Sequence, residues 1–184
     1  VCSPWGQASA GATPEWKLHL RNADKKFRGG DFGAAATEYS GAITSAMEDG
    51  SDAARKAVKR MYLQRAKSRQ KRGRTSAAIV DLGHALAEDP GFTAAQLLRA
   101  TLNLEAGNCQ EAVSEYEAVL NVDPRKRDAQ KRLPDARACA EALQLASEAK
   151  RRGDWSAVER HIGEALASGR ANKAPGLLVQ RAEA

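Results

Sequence analysis

Between Tyr62 and Pro124 the small and apolar residues fall at intervals of three and four, the spacing of one face of a helix, and the whole pattern returns 34 residues on. Ala66, Gly73, Ala78, Leu82, Ala85, Asp89 and Pro90 are answered by Ala100, Gly107, Ala112, Tyr116, Val119, Asp123 and Pro124. Each set describes a hairpin of two antiparallel helices. The glycine permits the tight turn, the small residues let two helices approach closely, and the proline ends the second helix because it cannot continue one.

The same frame extends outward. Upstream, Gly30, Asp31 and Phe32 with Ala23, Ala35, Tyr39 and Ala42 fit the hairpin; downstream, Gly153, Asp154 and Trp155 with Ala146, Val158, Ile162 and Ala165 fit it again. Leu177, Leu178 and Val179, followed by Arg181 and Ala182, have the pattern of a further first helix. A 34-residue helical hairpin resembles the tetratricopeptide repeat (TPR). The expected fold is therefore all-α, a TPR superhelix of about four complete repeats plus one partial.

Two departures from the period stand out. Gly30 and Gly73 are 43 residues apart, nine more than the period, which predicts extended helices or an enlarged link in the first hairpin. Gly107 and Gly153 are 46 apart, and the excess of twelve falls between Arg125 and Ala142. Pro134 disfavours helix at Leu133 and is suited to start a new one with Asp135 in its first turn. The predicted division is a loosely ordered segment 1–13 in which Trp5 is the residue suited to docking, a first TPR subdomain over 14–133, and the start of a second over 134–184. The first helix is expected to start with Thr13 as N-cap and Pro14 at its first position, and to run to about Arg28.

Composition narrows the function. With 42% hydrophobic but only 5% aromatic residues, the core is a quasi-linear one fed by Ala and Leu. No run of about 18 apolar residues is present to span a membrane, and no charged-then-apolar leader opens the chain, whose first residue, Val1, reads as a processed or shortened start. Cys2, Cys109 and Cys139 lack metal-ligand spacing and read as unpaired thiols. His19, His84 and His161 lie on three different repeats, and no HExxH, GxSxG, P-loop or dinucleotide turn occurs. No catalytic residue, cofactor or metal is expected, and the chain does not read as an enzyme.

The net charge of +6 is concentrated between Arg55 and Arg74, where ten of twenty residues are Lys or Arg. The favoured reading is the wet side of a helix that buries Ala57, Met61, Tyr62 and Ala66. The alternative is a scaffold surface for an acidic partner, RNA included, although Tyr62 is the one aromatic residue there to stack on bases.

Binding in a TPR stack uses the concave side, lined by the first helix of each hairpin at positions 2, 5, 6, 9 and 12. Those positions yield a client- or peptide-binding set of Leu20, Phe27, Leu63, Leu97, Leu98, Thr101 and Leu104, with core packing as the competing reading for the leucines. TPR co-chaperones that grip the acidic tails of heat-shock chaperones carry Lys, Asn and Arg as a carboxylate clamp. The matching positions here are Leu20, Asp24, Gln64, Ala94 and Leu98, so that clamp is absent.

Ser76 to Leu82, then Gly91-Phe92-Thr93-Ala94-Ala95 with Leu98-Arg99, then Gly107 with Glu111-Ala112, resemble the N-terminal TPR region of the endoplasmic-reticulum J-domain co-chaperones of the DnaJ homolog subfamily C member 3 family. The resemblance covers roughly residues 20 to 184 and is most specific at Phe92 to Ala95. It implies a luminal protein that holds unfolded polypeptide clients on an apolar N-terminal patch and passes them to the luminal Hsp70 through a J domain, whose His-Pro-Asp tripeptide does not occur in this sequence. It also implies contact with stress-activated eIF2α kinases. The basic second repeat and the enlarged first link depart from that family's pattern.

Overall fold

The glycine turns sit where the 34-residue frame puts them. Gly73 and Gly107 have φ of 71° and 88°, the left-handed region that a side chain resists, and Gly30 and Gly153 repeat that geometry. In the computed structural model, which describes residues 13–168 and 177–178, these turns join four hairpins. They are α1 (Glu15–Arg28) with α2 (Phe32–Asp49), α3 (Asp52–Lys71) with α4 (Thr75–Glu88), α5 (Thr93–Ala106) with α6 (Cys109–Val122), and α7 (Arg127–Arg152) with α8 (Trp155–Ala167). Each helix packs on the next, so the hairpins stack into the all-α TPR superhelix. Among the described residues no helix is long and apolar enough to cross a membrane.

The small residues of the frame lie at the helix crossings. Ala23 and Ala35, Ala66 and Ala78, and Ala100 and Ala112 are completely buried, while Tyr39, Leu82, Tyr116 and Ile162 fill the space beside them. Starts are capped by side chains at three helices: Asp31 accepts from the Ala34 N–H, Ser51 from Ala54 and Asp154 from Ala157. The first helix begins one residue later than expected. Pro14, not Thr13, precedes its first turn, and no side chain caps it.

Both insertions are taken up as helix. The nine extra residues of the first hairpin lengthen α2 to 18 and α3 to 20 residues against 14 in α4 and α5, and the connection between α2 and α3 is only Gly50-Ser51. The twelve extra residues of the second make α7 26 residues long, twelve more than α5. This corrects the expected break at Leu133-Pro134, because α7 runs through Pro134 without interruption. Proline removes one hydrogen bond from a helix interior. Here Pro134 itself is exposed, whereas Ala129, Ala136, Cys139 and Ala142 form a buried stripe that continues across it. Packing along that stripe outweighs the local preference.

The two main apolar clusters also meet elsewhere than at 133/134. One runs from Trp16 to Leu102 and the other from Ala100 to Leu177, so α5 belongs to both, with Ala95 and Leu102 in the first and Ala100 and Leu104 in the second. A small third cluster of Ala23, Ala35 and Tyr39 lies inside the first hairpin. Leu177 packs into the second cluster and Leu178 is exposed. The remainder of the expected partial helix, and the docking of Trp5, lie outside the described residues.

Cys109 and Cys139 are not unpaired thiols, and this corrects the sequence reading: they form a disulfide, with Cα atoms 5.7 Å apart. Their separation of 30 residues belongs to no motif. It becomes a contact because Cys109 opens α6 while Cys139 lies inside α7, on its buried stripe, rather than near a helix start.

Two outcomes follow from this packing. Ala78→Leu or Ala112→Leu should overfill its crossing and lower stability by about 1–3 kcal/mol, whereas Ala118→Leu on the exposed side of α6 should leave the thermal midpoint nearly unchanged. Reduction of the Cys109–Cys139 bridge should cost about 3–4 kcal/mol through the released loop. Chemical denaturation with and without reductant measures it, and alkylation of the unfolded protein should mark those two cysteines only after reduction.

Candidate functional site

The seven groove residues separate into two groups. Leu104, 1% exposed, and Leu63, 6% exposed, are core residues and offer almost nothing to a ligand. Leu104, in the last turn of α5, belongs to the same cluster as Cys109 and Val113, and Leu63 follows Met61 and Tyr62 in a buried run on α3. Leu20, Phe27, Leu97, Leu98 and Thr101 are half-buried. Phe27 meets Phe32 edge-on, with centroids 5.3 Å apart. The Thr101 hydroxyl donates to the Leu97 carbonyl at 2.9 Å and lies 3.1 Å from the Tyr116 hydroxyl. Leu97 leans on the C-terminal cluster and Leu98 on the N-terminal one, so the two straddle the junction that α5 makes.

Of the seven, only Leu20 lines the open cleft of about 630 Å3 that lies between α1 and α3. Trp16, Leu20, Ala57 and Met61 supply its apolar wall, and Lys56, Lys59, Arg60, Asp24 and Gln64 its polar edge. Trp16 is held by a 3.1 Å hydrogen bond from its indole nitrogen to Asp49. Asp24 accepts a 2.6 Å hydrogen bond from Tyr39, whose ionisation is pushed well above its usual range by burial and then by that carboxylate.

Part of the basic stretch proves to be internal. Arg65 reaches both oxygens of the buried Asp81 with bonds of 2.6 and 3.1 Å and also donates to Ser40 on α2. Arg69 meets the same carboxylate at 2.8 Å, and burial lowers its pKa. Lys59 pairs with Asp89 at 2.6 Å over the Phe92 ring. A buried carboxylate needs such partners, since leaving it alone would cost several kcal/mol (roughly 3–5).

A signal for this pairing was present in the sequence. Arg65 and Asp81 are repeated 34 residues later as Arg99 and Glu115, which also pair. Arg69, however, becomes Asn103. Glu115 thus has one cation where Asp81 has two, its second oxygen is buried without a partner, and burial raises its pKa. In the first hairpin Glu38 occupies the equivalent place and is met by Lys26 at 2.7 Å and His19 at 2.8 Å, which hold its pKa below the usual value. Among the described residues no group of three or more His, Cys, Asp or Glu could hold a metal ion. His84 stacks on Tyr62 and His161 bonds Glu164.

With this geometry in view, comparison with known proteins agrees on the fold. Residues 70–133 match the family model described as tetratricopeptide repeat. Mouse sperm-associated antigen 1 is 30% identical over 156 residues, covering 82% of this chain, which spans only 16% of the length of that relative. Among solved structures, the TPR domain of P58(IPK) superposes with a TM-score of 0.69 at 23% identity, covering 91% of this chain and 50% of that one. The first TPR of Spaghetti (RPAP3), solved bound to the HSP90 peptide SRMEEVD, gives 0.59 at 20% identity, with 72% of this chain and 96% of that one covered. The Arabidopsis OM64 TPR domain gives 0.55 at 20% identity, covering 65% and 94%. The repeat match, the hairpin geometry and these superpositions together establish the fold of the chain as a tetratricopeptide-repeat superhelix.

Proposed function

We propose that this superhelix is the non-catalytic, polypeptide-holding part of a luminal J-domain co-chaperone, and that it takes non-native segments on the concave side of α5. The observation that carries the reading is the pair Leu97 and Leu98, half-open side by side where the two core clusters meet. Exposed Ala94 and half-buried Thr101 extend the same low-charge surface. Leu98 occupies a position where an acidic-tail clamp would require a cation, so this part of the groove favours apolar chain. Leu63 and Leu104 take no part, being core.

The likeness to the P58(IPK) TPR domain, which extends over 91% of the chain, supports the co-chaperone reading. Transfer of the client to the luminal Hsp70 through a J domain, and contact with stress-activated eIF2α kinases, belong to the same proposal. So does residence in the endoplasmic-reticulum lumen, an oxidising compartment in which a bridge such as Cys109–Cys139 persists.

The test is Leu98→Glu. A carboxylate there adds a desolvation penalty to any apolar segment that enters, while glutamate is tolerated by helix propensity. The variant should keep its helicity and nearly its thermal midpoint yet lose suppression of aggregation of a denatured model client. Unfolding would make Leu98 a core residue, and retained suppression in a folded variant would move client binding off α5.

A further inference from the structure

At the end of the stack where Gly30 and Gly73 turn the chain, charge is nearly all of one sign. Residues 25–33 and 69–76 hold seven cations and one carboxylate, Asp31. Lys26 pairs with Glu38 and Arg69 with Asp81. That leaves Lys25, Arg28, Lys71, Arg72 and Arg74, all exposed and none in an ion pair among the described residues. Asp31 caps α2 by accepting from the Ala34 N–H and offsets one of the five at most. The Arg72 guanidinium rests over Gly33, where a Cβ would lie 3.6 Å from it, so the two turns form one edge. At the other end of the same hairpins cations are mixed with Glu48, Asp49, Asp52, Glu88 and Asp89.

The fold does not require these cations. Lys25, Arg28 and Lys71 stand in the last turns of α1 and α3, where a cation suits the helix dipole, but α5 carries Glu105 in its own last turn. Arg74 runs against the dipole. It is the N-cap of α4, the place after the turn glycine that Asp31 and Asp154 hold in their hairpins, each accepting from the N–H three residues on. Arg74 supplies no such cap and sets a cation at the positive end of α4. Its repulsion also reaches Arg69, whose pKa is lowered first by burial and then by Arg65 and Arg74. A cation kept where it weakens the helix points to a partner rather than to the fold.

We infer that this edge docks on the surface of an anionic lipid bilayer, with Lys25, Arg28, Lys71, Arg72 and Arg74 among the headgroups. Neighbouring helix axes stand about 8–10 Å apart, so one phosphate cannot meet cations spread over the ends of α1, α3 and α4, whereas a plane of headgroups can. Single-stranded nucleic acid would satisfy the charge, but it is held in a groove with open aromatic faces. Here the cations stand on turn tips, and Phe27 and Phe32 are half-buried against each other. Gly29, Gly30 and Gly73 are exposed and carry no side chain, which leaves the cations as the outermost groups. The edge lies at the helix ends, apart from Leu97 and Leu98, and does not depend on the co-chaperone reading.

The test is flotation with vesicles of phosphatidylcholine, alone and with phosphatidylserine added. The protein should float with the mixed vesicles, not with phosphatidylcholine alone, and should be released as salt rises. Each cation near an anionic surface contributes about fivefold. Arg74→Asp changes the charge by two and should lower partition about 25-fold, yet raise the thermal midpoint, because it supplies the missing cap. Lys71→Gln/Arg72→Gln should lower partition to a similar degree without touching the cap. Arg125→Asp makes the same change of net charge as Arg74→Asp in the link before α7, at the other end of the stack, and should leave partition within about twofold. Four results would overturn the assignment: no flotation or equal flotation with the two kinds of vesicle, equal losses from Arg74→Asp and Arg125→Asp, a lowered midpoint for Arg74→Asp, or release from the vesicles by single-stranded RNA at equal phosphate concentration, which would give the edge to nucleic acid.

Discussion

The first three hairpins depend on the close approach of two helices at a pair of completely buried alanines, Ala23 with Ala35, Ala66 with Ala78, and Ala100 with Ala112, and the fourth sets Ala146 and Val158 in the same places. Alanine contributes little apolar area, so such a core is not held by bulk. It is held by proximity, which lets backbone and Cβ atoms make dispersion contacts along the crossing. A Tyr or Leu one turn further on, Tyr39, Leu82 or Tyr116, then fills what the small residues leave. The glycine turns serve this spacing, since a bulkier connection would splay the helices.

Charge reinforces the same crossings. Arg65 with Asp81 and Arg99 with Glu115 occupy equivalent places in successive repeats, and Glu38 with Lys26 and His19 does so in the first. The strength of the device varies with the second cation. Asp81 has Arg69 as well and is fully paired, whereas Asn103 in the same place leaves Glu115 short of a donor. The second repeat is basic in part because it neutralises its own core, and only the residue of that charge is available for partners. The surface therefore carries two chemistries, a cationic edge beside the cleft between α1 and α3 and a low-charge patch around Leu97 and Leu98 on α5.

Repeat frame, turn positions, buried alanines and the absence of catalytic motifs were legible in the sequence because each is a local property repeated at a fixed period. So was the apolar character of Leu97 and Leu98. What the pattern could not decide was depth. Leu63 and Leu104 share the groove-facing numbering with Leu20 and Leu98, yet they are core, because burial depends on what the neighbouring hairpin places against them. The partner of a charged residue was likewise hidden, although the 34-residue echo of Arg65 and Asp81 would have exposed it.

The sequence by itself determined the period, the helices and their order, because turn glycines, small residues and helix-ending prolines act within a few residues of where they stand. Only the tertiary structure decided the course of α7 and the fate of the cysteines. Pro134 predicts a break by local rules, but the buried stripe from Ala129 to Ala142 packs continuously against the preceding hairpin and holds one helix of 26 residues. That same helix carries Cys139 to Cys109, making a bridge from two residues 30 apart. Both outcomes rest on contacts between elements, whose energy exceeds the local preference of a single residue and whose partners lie far away in the chain.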